Sequence, residues 1–178
     1  MEKVVVKESS IHGMGLFAAE KIRKDDIILQ IDDSRVVDEK NPLKPELNEQ
    51  EHHCDYLAGG KVVLLKPPER YVNHSCNPNA YIKWIEGKRY IIARRSLKYD
   101  EEICVDYCID GTGDVEWTCN CSSKDCRKEI YAEFFHLPLG KQIEYFDYLS
   151  QWYIDEHAEE YEFLKRTIHR LKKANKIS

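Results

Sequence analysis

The sequence predicts a mainly β fold closed by a helical C-terminal extension, on three observations. Short β-branched runs separated by turn residues fill the chain up to about residue 110. Three cysteines then crowd together as Cys119-x-Cys121-x4-Cys126. From Pro138 onward the apolar residues change to helical spacing.

The β segments are expected at Val4 to Lys7, Leu16 to Ala18, Ile27 to Ile31, Arg35 to Val37 and Lys61 to Leu65. Asp38 to Glu51 holds Pro42, Pro45 and many charges without apolar periodicity, and reads as a surface excursion. After Pro67-Pro68, Glu69 to Val72 has room for one short helical turn. Ala80 to Ile85 and Lys88 to Ala93 flank Glu86-Gly87 as a hairpin whose glycine can take a positive φ. Ile103, Val105 and Tyr107 alternate like one more strand. Beyond Pro138, the residues Ile143, Phe146, Leu149, Trp152 and Tyr153, and then Phe163, Leu164, Ile168 and Leu171, predict two amphipathic helices. Their aromatic stripe is expected to pack against the β region, and Lys172 to Ser178 to fray.

With 178 residues, 42% hydrophobic and 33% charged, the chain is globular and long enough to bury a core. A net charge of −5 argues against gripping nucleic acid through phosphate neutralisation; it suits a basic partner, and is equally the ordinary charge of a soluble protein. Neither a signal peptide nor a membrane span is read, which predicts the cytoplasm, or the nucleus in a eukaryotic host. Seven cysteines, three of them within eight positions, suggest metal chemistry in a reducing compartment.

Cys119, Cys121 and Cys126 offer three soft thiolates to zinc. Spacing leaves the fourth ligand open among Cys54, Cys76, Cys104, Cys108 and several histidines. Gly13-Met14-Gly15 lacks the third glycine and following helix of a dinucleotide site, so it reads either as a backbone loop that approaches something closely or as a plain strand-connecting turn. The loop from Arg70 to Asn79 packs turn-forming and metal-capable residues between two strand-like runs. Taken alone, Asn73 and His74 read as a turn asparagine beside a satisfied histidine, and Tyr107 as a strand aromatic after a solvated charge run.

In this order the four motifs resemble the SET-domain protein lysine methyltransferases. Gly13-Met14-Gly15 looks like the family's first cofactor loop, Arg70 to Asn79 like its Asn-His-Ser-Cys signature, Asp100 to Tyr107 like its Gly-Glu-Glu segment ending in Asp-Tyr, and Cys119 to Arg127 like the post-SET zinc motif. The resemblance implies a β-clip fold with pseudoknot-like threading, in which the chain passes under a loop and brings Asn73, His74 and Tyr107 together. It divides the chain into a SET domain (1–110), a post-SET zinc segment (111–131) and a helical extension (132–178). It implies a protein-lysine N-methyltransferase using S-adenosylmethionine, with Tyr107 catalytic and Gly13, Met14, Gly15, Arg70, Asn73 and His74 at the cofactor. It implies Cys76 as the fourth ligand of a structural Zn2+, and places Trp117 near the adenine or the lysine channel. The expected partner is a lysine-containing protein or peptide, such as a histone-like basic tail. The rival reading is a catalytically silent SET-like module that binds basic peptides.

Departures are local. Asp100 stands where the family has glycine, a change confined to a turn, and Tyr71 replaces a phenylalanine. Val105 occupies the position that often sets the number of methyls, and Tyr56 is the candidate for an upstream site tyrosine. Tyr81, Trp84 and Tyr90 are candidates for cation-π contact with a methylated ammonium, or ordinary strand aromatics.

Overall fold

The computed structural model describes residues 3–174 and 177, the side chain of residue 114 excepted. Among the described residues, twelve short strands form five small sheets. The first pairs β1 (Val4–Glu8) antiparallel with β2 (Met14–Ala18), Val4 opposite Ala18 and Glu8 opposite Met14. The second has the order β3 (Ile27–Gln30), β9 (Lys88–Ala93), β8 (Ala80–Ile85). In the third, β6 (Lys61–Leu64) lies between β4 (Val36–Val37) and β5 (Cys54–Leu57). Two residues each of β7 (Asn73–His74) and β10 (Cys104–Val105) make a parallel pair, and β11 (Thr112–Thr118) pairs antiparallel with β12 (Glu129–Glu133).

The β8–β9 hairpin forms where the sequence places it. Glu86 (φ 50°) joins Gly87 (φ 75°) in the left-handed region, as a two-residue turn matched to strand twist requires. Asp100 also takes a positive φ of 67°, so the aspartate tolerates the backbone that glycine usually supplies there. The excursion 38–51 is tied down by Arg35, whose guanidinium reaches Glu49 (2.6 Å), the Pro42 carbonyl (2.7 Å) and the Asn41 carbonyl (3.0 Å).

Three expectations are corrected. The strand expected from Ile103 to Tyr107 is paired only at Cys104–Val105, because the Asp106 carboxylate accepts the Cys108 amide (3.1 Å) and turns the chain before Tyr107. The helical region contains α1 (Leu139–Tyr145), α2 (Gln151–Glu156) and α3 (Ala158–Lys173) rather than two helices, since the chain leaves helical geometry at Leu149 and again at His157. Their aromatic stripe closes mainly over the cysteine-bearing segment, where Phe134, Tyr145, Tyr153 and Leu164 share a buried cluster with Cys76, Cys119 and Ile130. Contact with the β region runs through Tyr148 stacked on Tyr81 (4.2 Å) and Arg94 over the Tyr145 ring (5.2 Å). The fraying expected over 172–178 falls partly on residues 175, 176 and 178, outside the described residues, while Lys172 and Lys173 are helical.

Leu16, Ile22, Val72, Ile91, Leu97 and Ile103 centre a separate core among β2, β9 and the loops around them. No helix among the described residues is long and apolar enough to cross a membrane.

The helical extension is latched by Asp110, whose carboxylate accepts the Ser150 amide (2.9 Å) and the Ser150 hydroxyl at the start of α2. Burial pushes the Asp110 pKa up to about 6 against the Ser150 hydrogen bonds, with Asp55 adding to the rise. An elevated folded pKa means the folded state holds the extra proton between the unfolded value of 3.8 and about 6, so stability from this group falls as pH rises through that window. Asp110→Asn removes the ionisation. Urea denaturation should show the variant gaining on the wild type as pH rises from 4 to 8, by up to about 2–3 kcal/mol for a shift of this size.

Candidate active site and metal centre

The parallel pair sets Asn73 beside Cys104 and His74 beside Val105, and the Ser75 amide continues it to the Val105 carbonyl (2.9 Å). Asn79 fastens the crossing from below, accepting the Cys104 amide (2.9 Å) and donating to the Glu102 carbonyl (2.7 Å). Residues roughly thirty positions apart are thereby held in one plane.

The Asn73 amide donates to the carbonyls of His12 (3.2 Å) and Met14 (3.1 Å) and to the Glu102 carboxylate (2.8 Å). Ser9 donates to the same carboxylate oxygen (2.7 Å). A Cβ at Gly15 would lie 2.5 Å from that oxygen and 3.0 Å from the Phe17 ring, so any side chain there would push the Glu102 carboxylate off its partners. Of the two sequence readings of the glycine loop, the close approach holds, and the approaching group is a carboxylate of the same chain.

His74 is buried, and desolvation lowers its pKa to about 4 even though Asp106 acts in the opposite direction. Its Nδ1 accepts the Tyr107 amide (3.1 Å), which leaves the proton of the neutral ring on Nε2, facing the Cys76 sulfur at 3.4 Å. Asp106 is also buried and binds both terminal nitrogens of Arg127 (2.7 and 2.8 Å). Arg127 follows the last cysteine of the cluster, and its own amide points at the Cys76 sulfur (3.4 Å).

Tyr107 keeps 44% of its surface exposed, yet its hydroxyl is turned inward and donates to the Val72 carbonyl (2.6 Å). Burial of the phenol pushes its pKa up, and the nearby Cys104, Asp55 and Glu102 add to the rise. The ring meets His74 at 5.4 Å and Trp117 at 5.8 Å, and His74 meets Trp117 edge-on at 5.2 Å.

The sulfurs of Cys76, Cys119, Cys121 and Cys126 all lie within 4.8 Å of one another, with Cys76 and Cys119 at 3.8 Å. A tetrahedral zinc with Zn–S bonds near 2.3 Å needs sulfurs about 3.8 Å apart, so the donor set fits Zn2+ in both chemistry and size. Cys54, Cys104 and Cys108 stand outside this group, and the Cys108 thiol turns instead to the Tyr131 carbonyl (3.4 Å).

Other candidates are placed elsewhere. Arg70 lies over the Tyr71 ring (5.0 Å) and donates to its hydroxyl (2.9 Å), while its buried Nε has no hydrogen-bond partner among the described residues. Tyr81 is occupied by Tyr148, and Trp84 faces the Arg89 guanidinium at 6.0 Å. The ring partners of Tyr107 are thus His74 and Trp117 rather than Tyr81, Trp84 or Tyr90. Tyr56 lies on β5 opposite Val62. Glu102, Asp106 and Arg127 fall within the family-like motifs, but the sequence assigned none of them a role. The available signal was Asp106 itself: a carboxylate following the apolar run Ile103-Cys104-Val105 has to find a cation.

The family model described as the SET domain matches residues 13–108 of this chain. The chain belongs to the SET-domain family. The mainly β SET fold expected from the sequence is the fold of this protein. The chain is 30% identical over 138 residues to a histone-lysine N-methyltransferase of Candida albicans described as H3 lysine-36 specific, covering 71% of this chain and 16% of that protein. It is 33% identical over 136 residues to one of Schizosaccharomyces pombe described as H3 lysine-4 specific (67% and 14%). Human histone-lysine N-methyltransferase 2D is 28% identical over 136 residues (70% and 2%). The SET chain thus spans a small part of the length of these relatives.

S-adenosylmethionine, which SET methyltransferases generally use, carries an ammonium, a carboxylate, a sulfonium and an adenine ring. The residues present fit it: the His12–Gly15 loop and Glu102 concentrate acceptors, the orphaned Arg70 Nε is a buried donor, and Trp117 supplies an aromatic face.

Metal removal gives a direct check. Metal analysis should find one zinc per chain, and Cys121→Ser should lose it. Loss of the ion should raise amide exchange across β11 and β12 and shift Trp117 fluorescence to the red, because the cluster holds both. Unchanged exchange and emission in metal-free protein would refute this coupling.

Proposed function

We propose that this chain is a protein-lysine N-methyltransferase that transfers a methyl group from S-adenosylmethionine to a lysine side-chain amine, with Tyr107 as the catalytic residue. The observation carrying the reading is the Tyr107 hydroxyl, fixed on the Val72 carbonyl at the junction of the Asn73–His74 strand and the zinc-bound segment. When bound, S-adenosylmethionine supplies an already activated methyl, so the protein's task is alignment.

The phenol's proton is committed to Val72, and its pKa is raised, so Tyr107 remains neutral. Its oxygen therefore offers lone pairs rather than a proton, and accepts an N–H of the incoming amine. The amine must arrive uncharged, against a free lysine pKa of about 10.4. Burial among Tyr107, His74 and Trp117 favours the neutral form. Asp55 and Glu102, both of which raise the Tyr107 pKa, make the site's field negative and attract a cationic substrate before the proton leaves. Asn73 sets the His12–Gly15 loop at the cofactor, with Gly13, Met14, Gly15, Arg70, His74 and Trp117 around it. Cys76, Cys119, Cys121 and Cys126 would fill all four positions of a bound Zn2+ and give it a structural role.

The same reading makes 1–110 the catalytic domain, 111–131 the zinc segment and 132–178 the helical extension, with β12 straddling the second boundary. The substrate is a basic protein tail. Supporting this are the net charge of −5 and the relatives named for histone H3 lysines.

Calorimetric titration of the zinc-loaded protein with S-adenosylmethionine is the test, followed by methyl transfer to lysine peptides. Asn73→Ala should weaken binding on the order of tenfold or more through loss of the loop's anchor. Tyr107→Phe should keep binding and lower turnover about 100-fold, the scale of one positioned hydrogen-bonding group. Folded, zinc-loaded wild type that binds no S-adenosylmethionine would overturn the proposal in favour of a silent peptide-binding module.

A further inference from the structure

Helix α3 has two faces. Tyr161, Leu164 and Ile168 turn inward to the cysteine-bearing core, and Tyr161 stacks on Phe146 at 4.8 Å. On the opposite side, Glu159, Phe163, Arg166 and Arg170 are exposed at successive spacings of four, three and four, which is the spacing of a coiled-coil seam. Phe163 is 66% exposed, and Leu139 of α1, 47% exposed, lines the same groove of about 910 Å3 together with Phe135.

Charge along α3 is polarised. Glu159, Glu160 and Glu162 occupy its first half, and Arg166, Arg170 and Lys173 its second. The helix dipole favours that order of sign. It gives no reason for a phenylalanine in the middle of the exposed seam.

We propose that the α3 seam is a self-association surface whose occupant is the α3 of a second copy, antiparallel and related by a two-fold axis passing between residues 164 and 165. The seam is palindromic in charge. With the axis there, Glu159 of each copy faces Arg170 of the other, and Phe163 of each faces Arg166 of the other, as an isologous interface requires. Each exposed Glu–Arg pair contributes little by itself. The arginine over the phenylalanine ring and the apolar groove beside it supply the anchor, and the charges set the antiparallel direction. A parallel pair would bring like charges together at both ends. One 16-residue helix per copy makes a small interface, so the dimer is weak and exchanges with monomer.

Sedimentation velocity of the full zinc-loaded chain tests this. The wild type should sediment as a reversible monomer–dimer mixture that shifts towards dimer with concentration. Phe163→Glu, at an exposed position away from the site, should remain monomeric with unchanged circular dichroism. Arg170→Glu should weaken association about five- to tenfold by setting like charges face to face in two symmetric places. The double variant Glu159→Arg with Arg170→Glu should recover wild-type association to within about threefold, since the reversed pair is again complementary. A wild type that is monomeric at about 1 mM overturns the proposal. So does a dimer unaffected by Phe163→Glu, or a double variant no tighter than Arg170→Glu. A wild-type chain that stays monomeric alone but binds a DNA duplex in a salt-dependent way would assign the basic half to phosphate and equally overturn it.

Discussion

The buried Asp106 carboxylate is the constraint on which the site depends. It lies next to Tyr107 in the chain and is held on both oxygens by Arg127, one residue beyond the last cysteine of the metal centre. A carboxylate with so little access to water has to be paired, and the partner comes from a different segment. The pair therefore does more than neutralise charge, because it couples the position of the tyrosine to the closure of the cysteine loop. His74 adds a second link through its ring, with one nitrogen on the Tyr107 amide and the other facing the Cys76 sulfur. The cysteine cluster, His74 and Tyr107 thus form one mechanically continuous unit, with Trp117 packed against both rings.

Much of this was legible in the sequence. The four cysteines, the Gly13–Gly15 loop, Asn73, His74 and Tyr107 stand in an order that few families share, and the hairpin at Glu86-Gly87 carried its own turn chemistry. What could not be read there depends on contacts between distant segments. Glu102 looks like part of a solvated acidic run, and becomes a partner of Asn73 only because β2 crosses beside it and leaves room at Gly15. Arg127 looks like a surface cation until Asp106 is folded against it. Tyr81 looked available for a ligand because the residue that covers it, Tyr148, comes from a helical region whose docking leaves no local pattern.

The helical extension belongs to the metal centre more than to the β sheets. Tyr145, Tyr153 and Leu164 share their buried cluster with Cys76 and Cys119. The apolar burial in this cluster, of order 1.5–3 kcal/mol for a side chain such as Leu164, supports the thiol group. Asp110 and Ser150 bind the extension close to where the chain leaves Tyr107.

The parallel pairing of Asn73–His74 with Cys104–Val105 also bears on biosynthesis. Parallel strands need a long crossover, and here the crossover contains the whole β8–β9 hairpin, so the pair joins segments that are far apart in the chain. The last supports, Cys126 and Arg127, leave the ribosome later still. A nascent chain can therefore pair its first two strands early, but Asp106 and the cysteine cluster find their full set of partners only once Arg127 has been made.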